Sequence, residues 1–180
     1  MILETPPYYR LFELPVRLEL DGDDLRKRFL SLNRRFHPDF FTLESEDKQA
    51  EALAKSTEIN RAYQVLASEN DRMAYVLRWY GLLADEGQEK MDAAFLMEMM
   101  DANEALAELA FQPDTQMAER LFRSLSEKEE SLKSAAFPAL RAFDGSPETM
   151  GELKNIKEYY LKMRYLLRIR EKLHNFAAAK

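Results

Sequence analysis

No cysteine occurs among the 180 residues of this chain. Disulfides, thiolate metal sites, Cys-ligated iron–sulfur clusters and a cysteine nucleophile are therefore excluded. Histidine occurs only twice, as His37 and His174. These lie far apart in sequence, whereas a metal site needs three or four clustered ligands. No glycine-rich phosphate loop and no Gly-x-Ser-x-Gly elbow is present. No apolar run approaches the ~20 residues that span a bilayer. The opening "MILETPPYYR" has neither the apolar core of a signal peptide nor an Arg-rich presequence, so a cytoplasmic location is expected.

Five glycines and seven prolines leave room for long unbroken helices. Hydrophobic residues make up 46% of the chain, enough for a packed core. Leu, Ala, Glu, Met, Lys and Arg dominate, and these are the better helix formers. The expected fold class is all-α. The net charge of −6 argues against a nucleic-acid binder. Its distribution is informative. Between Leu25 and Phe36 stand Arg26, Lys27, Arg28, Arg34 and Arg35 without an acid. Between Met91 and Glu119 stand Asp92, Glu98, Asp101, Glu104, Glu108, Asp114 and Glu119 without a base. A basic helix and an acidic helix in different halves imply two docking surfaces of opposite sign.

The periodicity predicts a short helix at 8–14, stopped by Pro15. A second begins after Asp21 or Asp23, carries Leu25, Phe29, Leu32 and Phe36 on one stripe, and ends before Pro38. A third runs from about 44 to 66, with Ala50, Leu53, Ala54, Thr57, Ala62, Tyr63 and Leu66 inward. "ASEND" breaks it, and "DRMAYVLRWYGLL" forms a further helix ending near Gly81. Lone Trp79 is expected to pack within this part or against the next. The polar segment around Gly87 reads as a hinge. Three more helices follow, near 92–110, 114–137 or somewhat beyond, and 147–176, separated by Pro113 and "DGSP". The expected division is 1–84, a hinge at 85–91, and a three-helix bundle at 92–180.

"RRFHPDFF" at 34–41 raises the functional question. His37 beside Asp39 could be a catalytic pair, a metal site, a helix-ending turn or a docking surface. Acyl-transfer chemistry would need a nucleophile and an oxyanion hole, for which the chain shows no motif. For an arbitrary tripeptide the turn is the default. Here a basic amphipathic helix precedes it and "EINRAYQVL" follows at 58–66. This arrangement resembles the J-domain of DnaJ-type co-chaperones. With "YYRLFELP", "DRMAYVLRWYG" and "DAAFLMEMM" added, nearly the whole chain resembles the HscB family of co-chaperones in iron–sulfur cluster assembly.

The resemblance implies a non-enzymatic adaptor. A DnaK-class (HscA-type) chaperone would be met, and its ATPase stimulated, through His37, Pro38 and Asp39. Arg26, Lys27, Arg28, Arg34 and Arg35 would be the surrounding basic contacts. The C-terminal bundle would bind an IscU-type cluster scaffold. No cofactor, metal, nucleic acid or membrane is expected on this chain, and a monomer is expected. Some residues depart from the pattern. Phe40 follows the tripeptide where lysine is common, Glu13 stands where relatives often carry glycine, and Asn70 and Met73 replace a frequent proline and alanine. A J-protein for another client, or a structural helical protein with a plain turn at His37, are the competing readings.

In the helix near 92–110, Phe95, Met99, Ala102, Leu106 and Leu109 share the core face. Leu96 and Met100 make a second stripe with Ala107, and Met97 lies among Asp101, Glu104 and Glu108. A bundle helix with two neighbours would explain such a wide stripe as core. The resemblance instead assigns Leu96, Met97, Met100, Asp101, Glu104 and Glu108 to scaffold binding. In the last helix, Leu153, Ile156, Tyr160, Met163 and Leu167 form the expected core stripe, with His174 at its edge. Tyr165 points away, flanked by Leu161 and Ile169, and is a candidate interface aromatic.

Overall fold

A computed structural model describes residues 4–83 and 89–178, with side chains to residue 175; hinge positions 85–88 lie outside the described residues. The described secondary structure is entirely helical. Residues up to Leu82 form one compact unit together with Leu140–Leu153, and Leu83–Ala139 with Lys154 onward form the other.

The first unit contains α1 (Pro7–Leu11), α2 (Gly22–Arg35), a 3₁₀ turn (Pro38–Phe41), α3 (Glu46–Ala67) and α4 (Glu69–Trp79). Asp21 starts α2 by accepting the amides of Asp23 and Asp24 at 2.9 and 3.2 Å. Acids in the first turn and Arg34 and Arg35 in the last complement the helix dipole. Helices α2 and α3 pair antiparallel: Leu25 and Ala67 line one hollow, Phe36 and Ala52 another, and Phe29 stacks on Tyr63 at 4.1 Å. Tyr9, Phe12, Leu25, Ile59, Leu66, Val76 and Leu77 fill the core. Burial drives the Tyr9 phenol well above its ordinary pKa, and its hydroxyl donates to the Arg17 carbonyl at 2.6 Å. Arg72 is buried too, its guanidinium donating to the carbonyls of Leu18 and Leu66.

The inward face of α3 differs from the expected one. Ala52, Ser56, Ile59, Ala62 and Leu66 are buried, whereas Ala50, Leu53, Ala54 and Thr57 are exposed. The first half of α3 carries alanine on several faces, so hydrophobicity alone gives no period there. Packing against α2 selects the face. The break at "ASEND" shrinks to Ser68, whose hydroxyl caps α4 through the Asp71 amide at 3.3 Å. Trp79 remains 39% exposed, its indole N–H donating to the Glu4 carbonyl at 3.1 Å.

The expected division assigned 92–180 to the bundle, yet the turn at 140–153 groups with the first unit. Phe143 is fully buried there and meets Tyr80 edge-on at 6.1 Å. Gly145, at φ +77°, lies over Val16 so closely that a Cβ would stand 2.8 Å from the valine Cβ. The Asp144 carboxylate accepts from the Ser146 amide and the Thr149 hydroxyl, each at 2.9 Å. Hydrogen bonds from Ser146 and then Thr149 hold its pKa down to about 2.

The second unit contains α5 (Ala93–Glu98), α6 (Met100–Phe111) and most of α7 (Thr115–Ala142) and α8 (Glu152–Ala178). One helix was expected at 92–110; the structure breaks it at Met99, whose amide still donates to the Phe95 carbonyl at 3.1 Å. Taken as one arm, α5–α6 completes a three-helix arrangement with α7 and α8. Phe95, Met99, Ala102, Leu106 and Leu109 are buried as their spacing predicts. On α8, Ile156, Tyr160, Met163, Leu166 and Ile169 carry the core, while Leu167 is 37% exposed and His174 is exposed. The stripe advances by three residues after Met163 rather than four, which turns Leu167 and His174 outward.

Candidate functional site

Two surfaces collect the candidate residues. The first is built on the connection between α2 and α3. Pro38 cannot continue α2, and the residue before it is pushed to extended backbone; His37 accordingly has φ −66° and ψ 127°. His37 Nδ1 accepts the Asp39 amide at 3.3 Å and so caps the 3₁₀ turn. The Phe40 amide donates to the His37 carbonyl at 3.0 Å, and the Thr42 hydroxyl to the Asp39 carbonyl at 3.2 Å. From α3, the Gln49 side-chain amide donates to the carbonyls of Thr42 and Glu44 at 3.2 and 2.9 Å. The loop is thus held at its start by its own hydrogen bonds and at its end by Gln49 of α3.

Within this frame the imidazole and the Asp39 carboxylate are 46% and 82% exposed and 3.5 Å apart. A carboxylate this open accepts hydrogen bonds from a partner without first breaking internal ones. Among the described residues, no cluster of three or more His, Asp and Glu side chains gathers as a metal centre would. The geometry therefore presents a His and an Asp on a stiff turn for contact from outside.

Arg26, Lys27, Arg34 and Arg35 are exposed along α2, Arg34 and Arg35 in the last turn before this loop. Arg28 behaves differently. Its guanidinium pairs with Asp24 at 2.9 Å and donates to the carbonyls of Phe12 and Glu13 at 3.0 and 3.1 Å. It straps α2 to the end of α1, a task its place in a basic run does not reveal. The strapped residue Glu13 has φ +53°, a left-handed conformation that glycine adopts without strain.

The second surface lies on α5, α6 and α8. Leu96, Met97 and Met100 are 39%, 70% and 54% exposed, and Asp101, Glu104 and Glu108 are exposed beside them. The break at Met99 separates the two methionines in chain direction while Phe95 and Met99 stay inside. Tyr165 of α8 is half-buried, not fully outward. Its ring meets Phe95 edge-on at 5.7 Å, the Arg168 guanidinium lies 5.5 Å from its centroid, and its hydroxyl accepts from Asn103 Nδ2 at 2.8 Å. Asn103 also donates to the Met99 carbonyl at 2.7 Å. Its neighbours Leu161 and Ile169 are buried. Tyr165 is thereby tied to the same arm that carries Leu96 and Met100. Asn103 escaped the sequence reading; its one signal is a poor helix former within a run of Ala, Glu and Leu.

Lys162 sets the start of this arm. It lies 3.4 Å from Asp92, the residue that caps α5 through the Ala94 amide, and also pairs with Glu158. Burial works against its charge, but the two carboxylates outweigh it and raise its pKa.

Comparison with known proteins decides the family. Residues 7–75 match the DnaJ domain, and residues 91–174 match the HSCB C-terminal oligomerisation domain. The co-chaperone protein HscB homolog of Vibrio vulnificus strain YJ016 is 36% identical over 141 residues, covering 73% of this chain and 82% of that protein. This chain belongs to the HscB family of co-chaperones. The HscB homolog of Vibrio atlanticus is 39% identical over 112 residues, 62% of this chain and 66% of its own. The crystal structure of human co-chaperone protein HscB superposes with a TM-score of 0.77 at 27% identity, covering 95% of this chain and 83% of that one. The HscB reading joins the helical hairpin with its His37–Asp39 loop to the helical C-terminal part, and both halves of the fold agree with it.

Proposed function

We propose that this chain is the adaptor that brings an iron–sulfur cluster scaffold of IscU type to a DnaK-class, HscA-type chaperone in the cytoplasm and stimulates that chaperone's ATPase. The observation that carries the reading is the His37–Pro38–Asp39 turn, stiff and exposed, in a chain of the HscB family. Such a turn works by contact with another protein. His37, Pro38 and Asp39 are its centre, and Arg26, Lys27, Arg34 and Arg35 form its basic rim. Arg28 is the fifth base of that run, and its guanidinium also ties α2 to the end of α1. Leu96, Met97 and Met100, with Asp101, Glu104 and Glu108 around them, form the scaffold surface, and Tyr165 holds its edge. Methionines suit a surface that adapts to its partner, and the acidic border steers a basic one.

The test is single-turnover ATP hydrolysis by the chaperone with and without this protein and the scaffold. His37→Gln should abolish stimulation while the helical circular dichroism and scaffold binding persist. Full stimulation by the variant would remove the J-domain role. Loss of folding would make the tripeptide a structural turn.

A further inference from the structure

Two side chains of the loop have no task in the account above. Phe40 is 72% exposed and Leu43 is fully exposed. Neither sits in a loose segment. Phe40 lies in the 3₁₀ turn capped by His37, and Leu43 lies between the two carbonyls that Gln49 holds. The Phe40 ring also meets the His37 imidazole edge-on, with centroids 6.1 Å apart. A partner surface that covers His37 closely enough to feel its ring must therefore cover Phe40 as well. Close to these apolar groups in the chain stand the charges of Arg34, Arg35 and Asp39, all exposed. An aromatic centre inside a charged rim is how energetically dominant contacts are built.

We propose that Phe40, with Leu43 beside it in the chain, is an apolar anchor of the chaperone contact, so that the partner presents an apolar hollow next to the surface that receives the basic helix. This rests on the J-domain reading and adds a second kind of contact to it. The arginines act at a distance and are screened by salt, whereas Phe40 acts only when its ring leaves water. The ring is already held on an ordered turn, so little ordering opposes its burial.

The experiment uses the full chain with the DnaK-class chaperone of the same organism, reading single-turnover ATP hydrolysis against concentration at low and high salt. Phe40→Ala should raise the half-saturating concentration by about tenfold or more at both salt concentrations, with maximal stimulation kept at saturation. Leu43→Ser should do so more weakly. Phe40→Lys should recover part of the loss at low salt and lose it again at high salt. His37→Gln is measured beside them. If His37→Gln stimulates fully, the J-domain reading itself falls. If His37→Gln is inactive while Phe40→Ala saturates as the parent does, the anchor alone falls. A lower maximum at unchanged half-saturation would make Phe40 a support for His37 and overturn the anchor. Loss of a dimer in light scattering with unchanged stimulation would assign the patch to a second copy and overturn it too. Circular dichroism checks folding, which an exposed ring leaves intact when cut back.

Discussion

Glu13 and Arg28 show how single residues divide between fold and function. Glu13 holds a left-handed backbone with a side chain that disfavours it, and Arg28 donates to its carbonyl. Glu13→Gly should therefore stabilise the protein, by about 0.5–1 kcal/mol, because relief of strain exceeds the extra backbone entropy of glycine. A chemical-denaturation midpoint that falls instead would deny the strain. Arg28→Ala should cost about 1–2 kcal/mol through the lost charged hydrogen bonds, and should leave chaperone association nearly unchanged in rate. Arg34→Glu with Arg35→Glu should give the opposite pattern. Stability holds, association slows several-fold at low salt, its salt dependence flattens, and scaffold affinity is kept. Stopped-flow association beside thermal unfolding separates the two. Equal loss at both partners would refute two surfaces of different charge.

At the scale of the element, the break at Met99 and the grip of Asn103 matter most. A straight helix would carry its apolar residues on steady stripes. The broken arm keeps Phe95 and Met99 inside while Leu96, Met97 and Met100 face water. Replacing those three with alanine should weaken scaffold binding by well over tenfold, since anchor truncations cost ~2 kcal/mol or more. The melting temperature should move little, because exposed side chains leave no cavity. A titration showing parental affinity, or a large fall in melting temperature, would sink the assignment. Tyr165→Phe isolates the hydroxyl. Losing the bond to Asn103 at 2.8 Å should cost about 1 kcal/mol at most and loosen the edge of the surface. Amide exchange at Asn103 and Met99 would report it.

At the scale of the molecule, the turn at 140–153 is the feature to test. Phe143 is fully buried in the first unit, so Phe143→Ala should cost about 3 kcal/mol or more. If that unfolds the chain, Tyr80 ring mobility in Phe143→Leu serves instead. The Asp144 carboxyl has its pKa lowered from 3.8 to about 2. A depressed pKa stabilises the fold where the carboxylate is charged. That contribution is complete above the ordinary value and fades as pH falls toward about 2. Asp144→Asn should therefore narrow the difference from the parent across this acidic window and leave the largest deficit near neutral pH. Melting temperature measured from pH 2 to 7 checks the sign.

The residue order by itself determined the helical class, the tripeptide between a basic helix and its partner, and the core face of the arm at 92–110. Those features are local: proline and aspartate act on their neighbours, and large apolar side chains at helical spacing, Phe95, Met99, Leu106 and Leu109, show the period of their arm. Tertiary structure decided the rest. It chose the inward face of α3, where alanine gives no period, and moved the α8 stripe from Leu167 to Leu166. It turned Arg28 from a surface charge into a strap, tied Tyr165 to Asn103 across 62 positions, and placed Phe143 in the first unit. Each depends on which distant backbone lies opposite, and spacing along one helix carries no information about that.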